Sequence, residues 1–135
     1  MIEYRTGNDL NLAQVIELYV DSTLGLRRPV GDRQRMADML ANANLVITAW
    51  EGETLVGIAR SVTDFVYATY LSDLAVRLKY QKQGIGRELI RRTQAAAPKA
   101  TVILLSAPSA VNYYPHVGMS QHPSAWVLKS DNKIV

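Results

Sequence analysis

Cysteine is absent from the 135 residues, so the chain has no disulfide, no thiol nucleophile and no thiolate metal site. A cysteine-free chain fits a reducing compartment, and a cytoplasmic location is the expectation that goes with it. Histidine is scarce: His116 and His122 are the two, they show no ligand spacing, and no metal is expected. No apolar run approaches the roughly 18 residues of a membrane span, so no membrane partner is expected. The first residues, Met1 to Asp9, carry an early acid and no apolar core, which argues against a secretory leader.

The composition is 48% hydrophobic, which marks a globular chain, and its length suits one core. One domain over residues 1–130 is expected, with 131–135 as a polar tail. The net charge is +3, unevenly spread. Between Arg77 and Arg92 stand Arg77, Lys79, Lys82, Arg87, Arg91 and Arg92 against one acid, Glu88, a window of net +5 that leaves −2 for the remainder. Such a field points to an anionic ligand or to a solvated helix face. Few aromatics interleave with the charges and the stretch is short, so nucleic acid is not expected as a partner.

Hydrophobic periodicity gives an order of elements. Ile2–Thr6 reads as a strand. Asn8 or Asp9 caps a helix over Leu10–Asp21 with Leu12, Val15, Ile16 and Tyr19 inward. Ser22–Val30 is a loop, and a second helix runs from Gly31 or Asp32 to about Ala43 with Met36, Met39 and Leu40 inward. Asn44–Trp50 and Thr54–Thr63 form a hairpin about Glu51-Gly52-Glu53, and Val66–Val76 is a third long strand. A helix over 84–97 ends at Pro98. Thr101–Ser106 is nearly all apolar, as for a strand buried on both faces. Ser106 is placed to cap a short helix over Pro108–Tyr114, and Ala125–Lys129 reads as a last strand. The order β-α-α-β-β-β-α-β-α-β predicts an α/β domain, a mixed sheet with helices on its faces. Its middle strands form an antiparallel meander, and 101–106 lies parallel to 66–76.

The most informative segment is Gln81-Lys82-Gln83-Gly84-Ile85-Gly86-Arg87, between the strand at 66–76 and the helix that follows. A strand-to-helix turn leaves the first helical N–H groups without partners, and these with the helix dipole make a phosphate site. Glycine admits the phosphate with no Cβ in the way. Leucine at 89 rules out the third glycine of a dinucleotide fingerprint, and Arg87-Glu88 after Gly86 rules out a P-loop.

Gln81-x-x-Gly84-x-Gly86, preceded by Leu74-Ala75-Val76 and followed by Tyr113-Tyr114-x-x-x-Gly118-Met119, resembles the GCN5-related N-acetyltransferase (GNAT) family over residues 1–130. Within it the chain looks closest to the short serotonin-acetyltransferase-like group of cyanobacteria and plastids. The resemblance implies a splayed central sheet and acetyl transfer from acetyl-CoA, without a metal, to a primary amine. The acceptor would be a small arylalkylamine, a polyamine or a protein amine, and attack would be direct in a ternary complex. A non-catalytic acyl-CoA-binding module is the alternative, and either a monomer or a homodimer fits. The resemblance also implies that backbone groups of Leu74, Ala75 and Val76 pair with the pantetheine. Gln81, Lys82, Gln83, Gly84, Ile85, Gly86 and Arg87 would hold the pyrophosphate. Ala107 stands where many relatives have asparagine, and Ser106 or Asn112 would replace that contact. Tyr114 matches the tyrosine that protonates the leaving thiolate, and Tyr113 is expected in the core.

The base is open. Tyr70 and Ser72 stand where family bases commonly lie, and neither is a carboxylate or a histidine. Asp73 is the one acid on that strand, either a base or a buried aspartate satisfied by backbone N–H groups. Regular alternation puts its side chain opposite Tyr70 and Ser72. Asp64 and a water chain to bulk solvent are the other candidates.

Overall fold

The structure is a computed structural model that describes residues Met1–Val135. The chain falls into two compact units, Met1–Leu105 and Ser106–Val135.

In the first unit, β1 (Glu3–Thr6) is followed by α1 (Leu12–Asp21), a 3₁₀ turn at Leu24–Arg27 and α2 (Arg33–Asn42). The strands β2 (Leu45–Glu51), β3 (Thr54–Thr63) and β4 (Ala68–Val76) come next, then a 3₁₀ turn at Leu78–Tyr80, α3 (Ile85–Ala96) and β5 (Thr101–Ile103). The sheet order is β1-β2-β3-β4-β5. The first four strands are antiparallel neighbours, and β5 is parallel to β4. The crossover through α3 makes that pairing parallel, as the sequence predicts.

Each face of the sheet carries its own core. Val15, Leu18 and Tyr19 of α1 and Met36 and Leu40 of α2 pack against Val46, Leu55, Ile58 and Ala75 on one side. Ile85 and Leu89 of α3 pack against Ile47, Ala49, Val56, Ala59 and Leu71 on the other. Gly57 allows α3 to lie close, since a Cβ there would stand 3.1 Å from Leu89 Cδ1 and 3.2 Å from Ile85 Cγ2.

Helix ends follow local chemistry. The cap of α1 is Asn11, whose side chain accepts from the Gln14 N–H, rather than Asn8 or Asp9. Asn8 instead donates to the carbonyls of Leu40, Ala41 and Ala43 at the end of α2, groups that a helix C-terminus leaves unpaired. Asp32 caps α2 through the Arg35 N–H.

Three expectations need correction. The strand at 101–106 is not buried on both faces. It is the edge strand β5, and although Val102 and Leu104 pack toward α3, Ile103 and Leu105 are 50% and 44% exposed. The α1/α2 core includes residues of β2, β3 and β4 but none of β5, so nothing from it covers Ile103. In the second unit, Ala125–Lys129 forms no strand and Trp126, Val127 and Leu128 are exposed. An apolar run supplies propensity, but a strand exists only when a ladder partner lies beside it. The helix expected over 108–114 is a 3₁₀ turn at Pro108–Ala110 and a single α-turn, α4 (Tyr113–His116). Ala107 stands at the turn's cap position without a side-chain bond, so Ser106 does not cap it.

Leu89 is fully buried between α3 and the sheet. Leu89→Ala is expected to cost about 2–5 kcal/mol of unfolding free energy, the range for emptying a buried leucine site. Urea denaturation checks this, and a loss below about 1 kcal/mol would show that α3 is not held by this contact.

Candidate acetyl-donor and acceptor site

The pairing of β4 with β5 covers only Ala68 to Tyr70. From Leu71 to Val76 the β5-facing edge of β4 has no strand beside it, while its other edge is paired with β3 as far as Val76. This stretch of β4 keeps backbone groups without a ladder partner, although side chains take two of its carbonyls, that of Ser72 by Arg28 and that of Val76 by Gln81. Leu74 and Val76 rest on the α3-side core and Ala75 on the opposite one, so the side chains are spent on packing and the backbone edge is what remains.

The glycine turn comes after the 3₁₀ turn at Leu78–Tyr80. Gly84 is the N-cap of α3, with φ 85° and ψ 5°, a left-handed conformation that favours glycine. It has no side chain to cap the helix, and the first helical bond runs from the Glu88 N–H to the Gly84 carbonyl at 3.0 Å. The N–H groups of Ile85, Gly86 and Arg87 are left without intrahelical acceptors. Gln81 braces the turn by donating to the Val76 carbonyl at 2.9 Å, and Gln83 donates to the Lys79 carbonyl at 3.3 Å. Lys82 also has a positive φ, 63°.

The basic window divides by partner. Arg77 pairs with Glu17 and donates to the Leu55 carbonyl, and Lys79 lies over the Tyr80 ring. Arg91 and Arg92 both pair with Glu88, whose carboxyl those hydrogen bonds hold down to about 2. Lys82 and Arg87 have no ion-pair partner. These two flank the orphan N–H groups. The whole arrangement fits a pyrophosphate at the turn and an extended amide chain along β4.

The acid on β4 has a different setting from either one expected. Asp73 is fully buried, and its partners are side chains rather than backbone N–H groups. Arg60 Nε stands 2.5 Å from Oδ2 and Arg28 Nε 2.6 Å from Oδ1, and the Tyr19 hydroxyl donates to Oδ2 at 2.6 Å. Ser72 donates to Oδ1 at 3.2 Å and accepts from Arg60 at 3.0 Å. Arg28 also donates to the Ser72 carbonyl at 2.7 Å, which ties the 22–30 loop to the strand. Burial alone would raise the Asp73 pKa, but the bonds and charge of Arg60, with Tyr19 and Arg28, hold it below the usual carboxylate range. Burial, then Asp73, pushes the Tyr19 phenol well above its ordinary value.

The register explains the geometry. Arg60 pairs with Asp73, but the next residue, Ser61, pairs with Leu71, so Ser72 is bulged out. Beyond the bulge Val62 pairs with Tyr70. Arg60 and Val62 share a face of β3, so Asp73 and Tyr70 share a face of β4. Strict alternation, which separates them, does not hold here. Asp64 lies at the tip of the β3–β4 hairpin, where Oδ1 accepts from the N–H groups of Val66, Tyr67 and Ala68 and those bonds lower its pKa.

The sequence does not mark Arg28 or Arg60 as site residues, and it marks Tyr19 only as an inward residue of the first helix. The signal was an aspartate and an arginine each embedded in an apolar strand, since a buried charge requires an opposite one.

In the second unit, Asn112 precedes α4 and Tyr113 and Tyr114 open it. Their rings meet edge to face, with centroids 5.3 Å apart and planes at 76°. Tyr113, expected in the core, is 37% exposed. The spacing to Gly118 has a local cause. The Gly118 N–H bonds to the Pro115 carbonyl and the Met119 N–H to the Tyr114 carbonyl, with Gly118 at φ 93°, which is a Schellman helix stop.

Asp73→Asn leaves the buried Arg60 guanidinium and the half-buried Arg28 guanidinium short of their counter-charge, and a loss of about 3–5 kcal/mol is expected. The folded pKa is lowered, so the carboxylate's contribution is complete above the unfolded pKa of about 4 and declines as pH falls toward the folded value. Denaturation midpoints between pH 7 and pH 3 should fall less steeply for Asp73→Asn than for the native protein, and parallel curves would show that this pair does not set acid stability.

The family model for the acetyltransferase (GNAT) domain matches residues 27–129. An N-acetyltransferase ycf52-like protein of Prochlorococcus marinus is 27% identical over 128 residues, 90% of this chain and 67% of the relative. The N-acetyltransferase ycf52 of Gracilaria tenuistipitata is 27% identical over 112 residues, 80% of this chain and 62% of the relative. The chain thus spans about two thirds of the length of these relatives. The GNAT-family acetyltransferase SP0256 of Streptococcus pneumoniae shares the fold, with a TM-score of 0.76, 23% identity and coverage of 96% of this chain and 99% of that one. The general chemistry that goes with this membership is acyl transfer, and acetyl-CoA is the donor the family uses. The chain belongs to the GNAT family of acetyltransferases.

Proposed function

We propose that this protein transfers acetyl from acetyl-CoA to a primary amine by direct attack, with donor and acceptor bound together. The observation that carries the reading is the edge of β4 from Leu71 to Val76 with no strand beside it, followed after one 3₁₀ turn by the start of α3, which has no side-chain cap. Leu74, Ala75 and Val76 would hold the pantetheine amides by backbone bonds. The N–H groups at Gln83 to Arg87, with the charges of Lys82 and Arg87, would hold the pyrophosphate. Acetyl-CoA supplies the activated acyl group as a thioester. Tyr114 is assigned the proton donated to the departing thiolate, and Asn112 a polar contact to the donor.

No side chain on β4 is a ready base. Tyr70 is a phenol, and the Ser72 hydroxyl is engaged with Arg60 and Asp73. Asp73 has its proton affinity lowered by two arginines. Asp73 is therefore assigned a positioning role, and the amine's proton leaves through water. The acceptor amine would approach over Tyr70, beside the loop that Arg28 anchors.

Gly84→Val is expected to weaken acetyl-CoA binding severely in calorimetry. Nothing in the protein crowds a Cβ there, so the loss would come from the positive φ and from intrusion on the phosphate, and unchanged affinity in a folded variant would remove the donor site. Affinity should also fall with added salt. Lys82→Ala with Arg87→Ala should flatten that dependence, and a native salt slope in the double variant would reduce both charges to solvated surface.

Tyr114→Phe is expected to lower kcat by roughly 10- to 1,000-fold with acetyl-CoA affinity nearly unchanged, because the hydroxyl acts as thiolate charge develops. Steady-state titration with matched circular dichroism decides it, and full activity would leave the tyrosine a packing role.

A further inference from the structure

We infer that Arg60 and Asp73 are positioning residues for the donor: together with Arg28 they lock a one-residue register shift in β4, and that shift decides which backbone groups meet acetyl-CoA. The inference rests on the donor site of the reading above, in which none of these side chains touches the donor.

The ladder bonds show what the shift does. Along an antiparallel strand, residues alternate between those that bond to the partner and those whose N–H and C=O groups point to the far edge. Before the bulge, the Asp64 N–H bonds to the Ala68 carbonyl, so Ala68 and Tyr70 turn to β3 while Thr69 and Leu71 turn to the β5 side. After it, the Arg77 N–H bonds to the Val56 carbonyl, so Asp73 and Ala75 turn to β3 while Leu74 and Val76 turn to the open edge. Gln81 reaches the Val76 carbonyl there. With Ser72 in the ladder rather than bulged, the first alternation would run on, and Asp73 and Ala75 would line the edge instead.

The charge cluster makes the shifted register the stable one. Leu71 packs in the α3-side core, yet Asp73, two residues on, meets Tyr19 and Arg60 on the opposite face, as only a bulge permits. In the unshifted register the carboxylate would point with Leu71 into an apolar core, where a charge has no partner. The same groups also hold the bulged residue. Arg60 donates to the Ser72 hydroxyl at 3.0 Å, that hydroxyl donates to Asp73 at 3.2 Å, and Arg28 donates to the Ser72 carbonyl at 2.7 Å. In some proteins buried ionic groups specify one arrangement rather than add net stability, and this cluster is placed to do so. An apolar side chain at position 73 would remove the penalty on the unshifted register, since Leu71 and Ala75 are apolar already.

The test measures acetyl-CoA affinity by calorimetry and backbone amide exchange by NMR, both on the full chain. In the native protein without donor, the Ala75 amide should exchange slowly and those of Leu74 and Val76 fast. Arg60→Gln should weaken acetyl-CoA about 10- to 100-fold, the worth of two backbone hydrogen bonds. A second variant replaces the whole cluster by apolar side chains, Tyr19→Phe with Arg28→Met, Arg60→Met and Asp73→Leu, an exchange that commonly keeps stability. It should melt near the native temperature, lose affinity by a similar factor, and move the slow exchange from Ala75 to Leu74 and Val76. Native affinity or the native exchange pattern in this variant overturns the inference and leaves the transfer reading standing, because a cluster that only stabilises would be replaced without effect on either. Should one variant fail to fold, affinity and exchange in the other decide alone. No acetyl-CoA binding by the native protein overturns the donor site of that reading, and the inference with it.

Discussion

The carboxylate of Asp73 is the constraint around which the site is arranged. A fully buried charge is tolerated only when its partners are close and its oxygens are bonded. Here the partners come from four places in the chain: Tyr19 on α1, Arg28 in the loop before α2, Arg60 on β3 and Ser72 on β4. Each of these elements must arrive in register for the charge to be satisfied. The cluster therefore fixes more than its own neighbourhood. It sets where the 22–30 loop meets the sheet, and it holds β3 and β4 together where their register slips.

That slip has consequences on both faces of β4. Bulging Ser72 turns Asp73 and Tyr70 to the α1/α2 side, while Leu71 on the other side packs with Ile85 and Leu89. The same strand loses its second neighbour after Tyr70. Backbone edge and charged Asp73 thus lie on one strand, which a single 3₁₀ turn separates from the glycine start of α3. In the proposed function the donor is held by backbone and the acceptor brought beside it, a division that a strand with different surroundings on its two edges supports. The rigidity comes from the two cores, which grip β4 through Leu71 and Ala75 on opposite faces.

The second unit separates cap from chemistry. Gly118 is explained by the Schellman stop, so its place in the Tyr-x-x-x-Gly pattern has a purely local cause. The tyrosine role rests on the family pattern, and the cap fixes only the backbone from which Tyr114 projects.

Much of this was legible in the sequence. Apolar periodicity gave the helices and the meander, because burying a stripe or a face is a local requirement repeated every 3.6 or 2 residues. Gly84 announced the turn, since a left-handed residue before a helix is a property of the residue itself, and the φ of 85° agrees. Tertiary structure alone decided the partners. That Asp73 would be shared by Arg28 and Arg60, at separations of 45 and 13 residues, is set by packing and not by spacing. The bulge at Ser72 breaks the period on which the face assignment depended. The apolar runs at 101–106 and 125–129 read alike as strands, yet one became an exposed edge and the other joined no ladder. A strand needs a neighbour to complete its hydrogen bonds, and the neighbour is supplied by the fold.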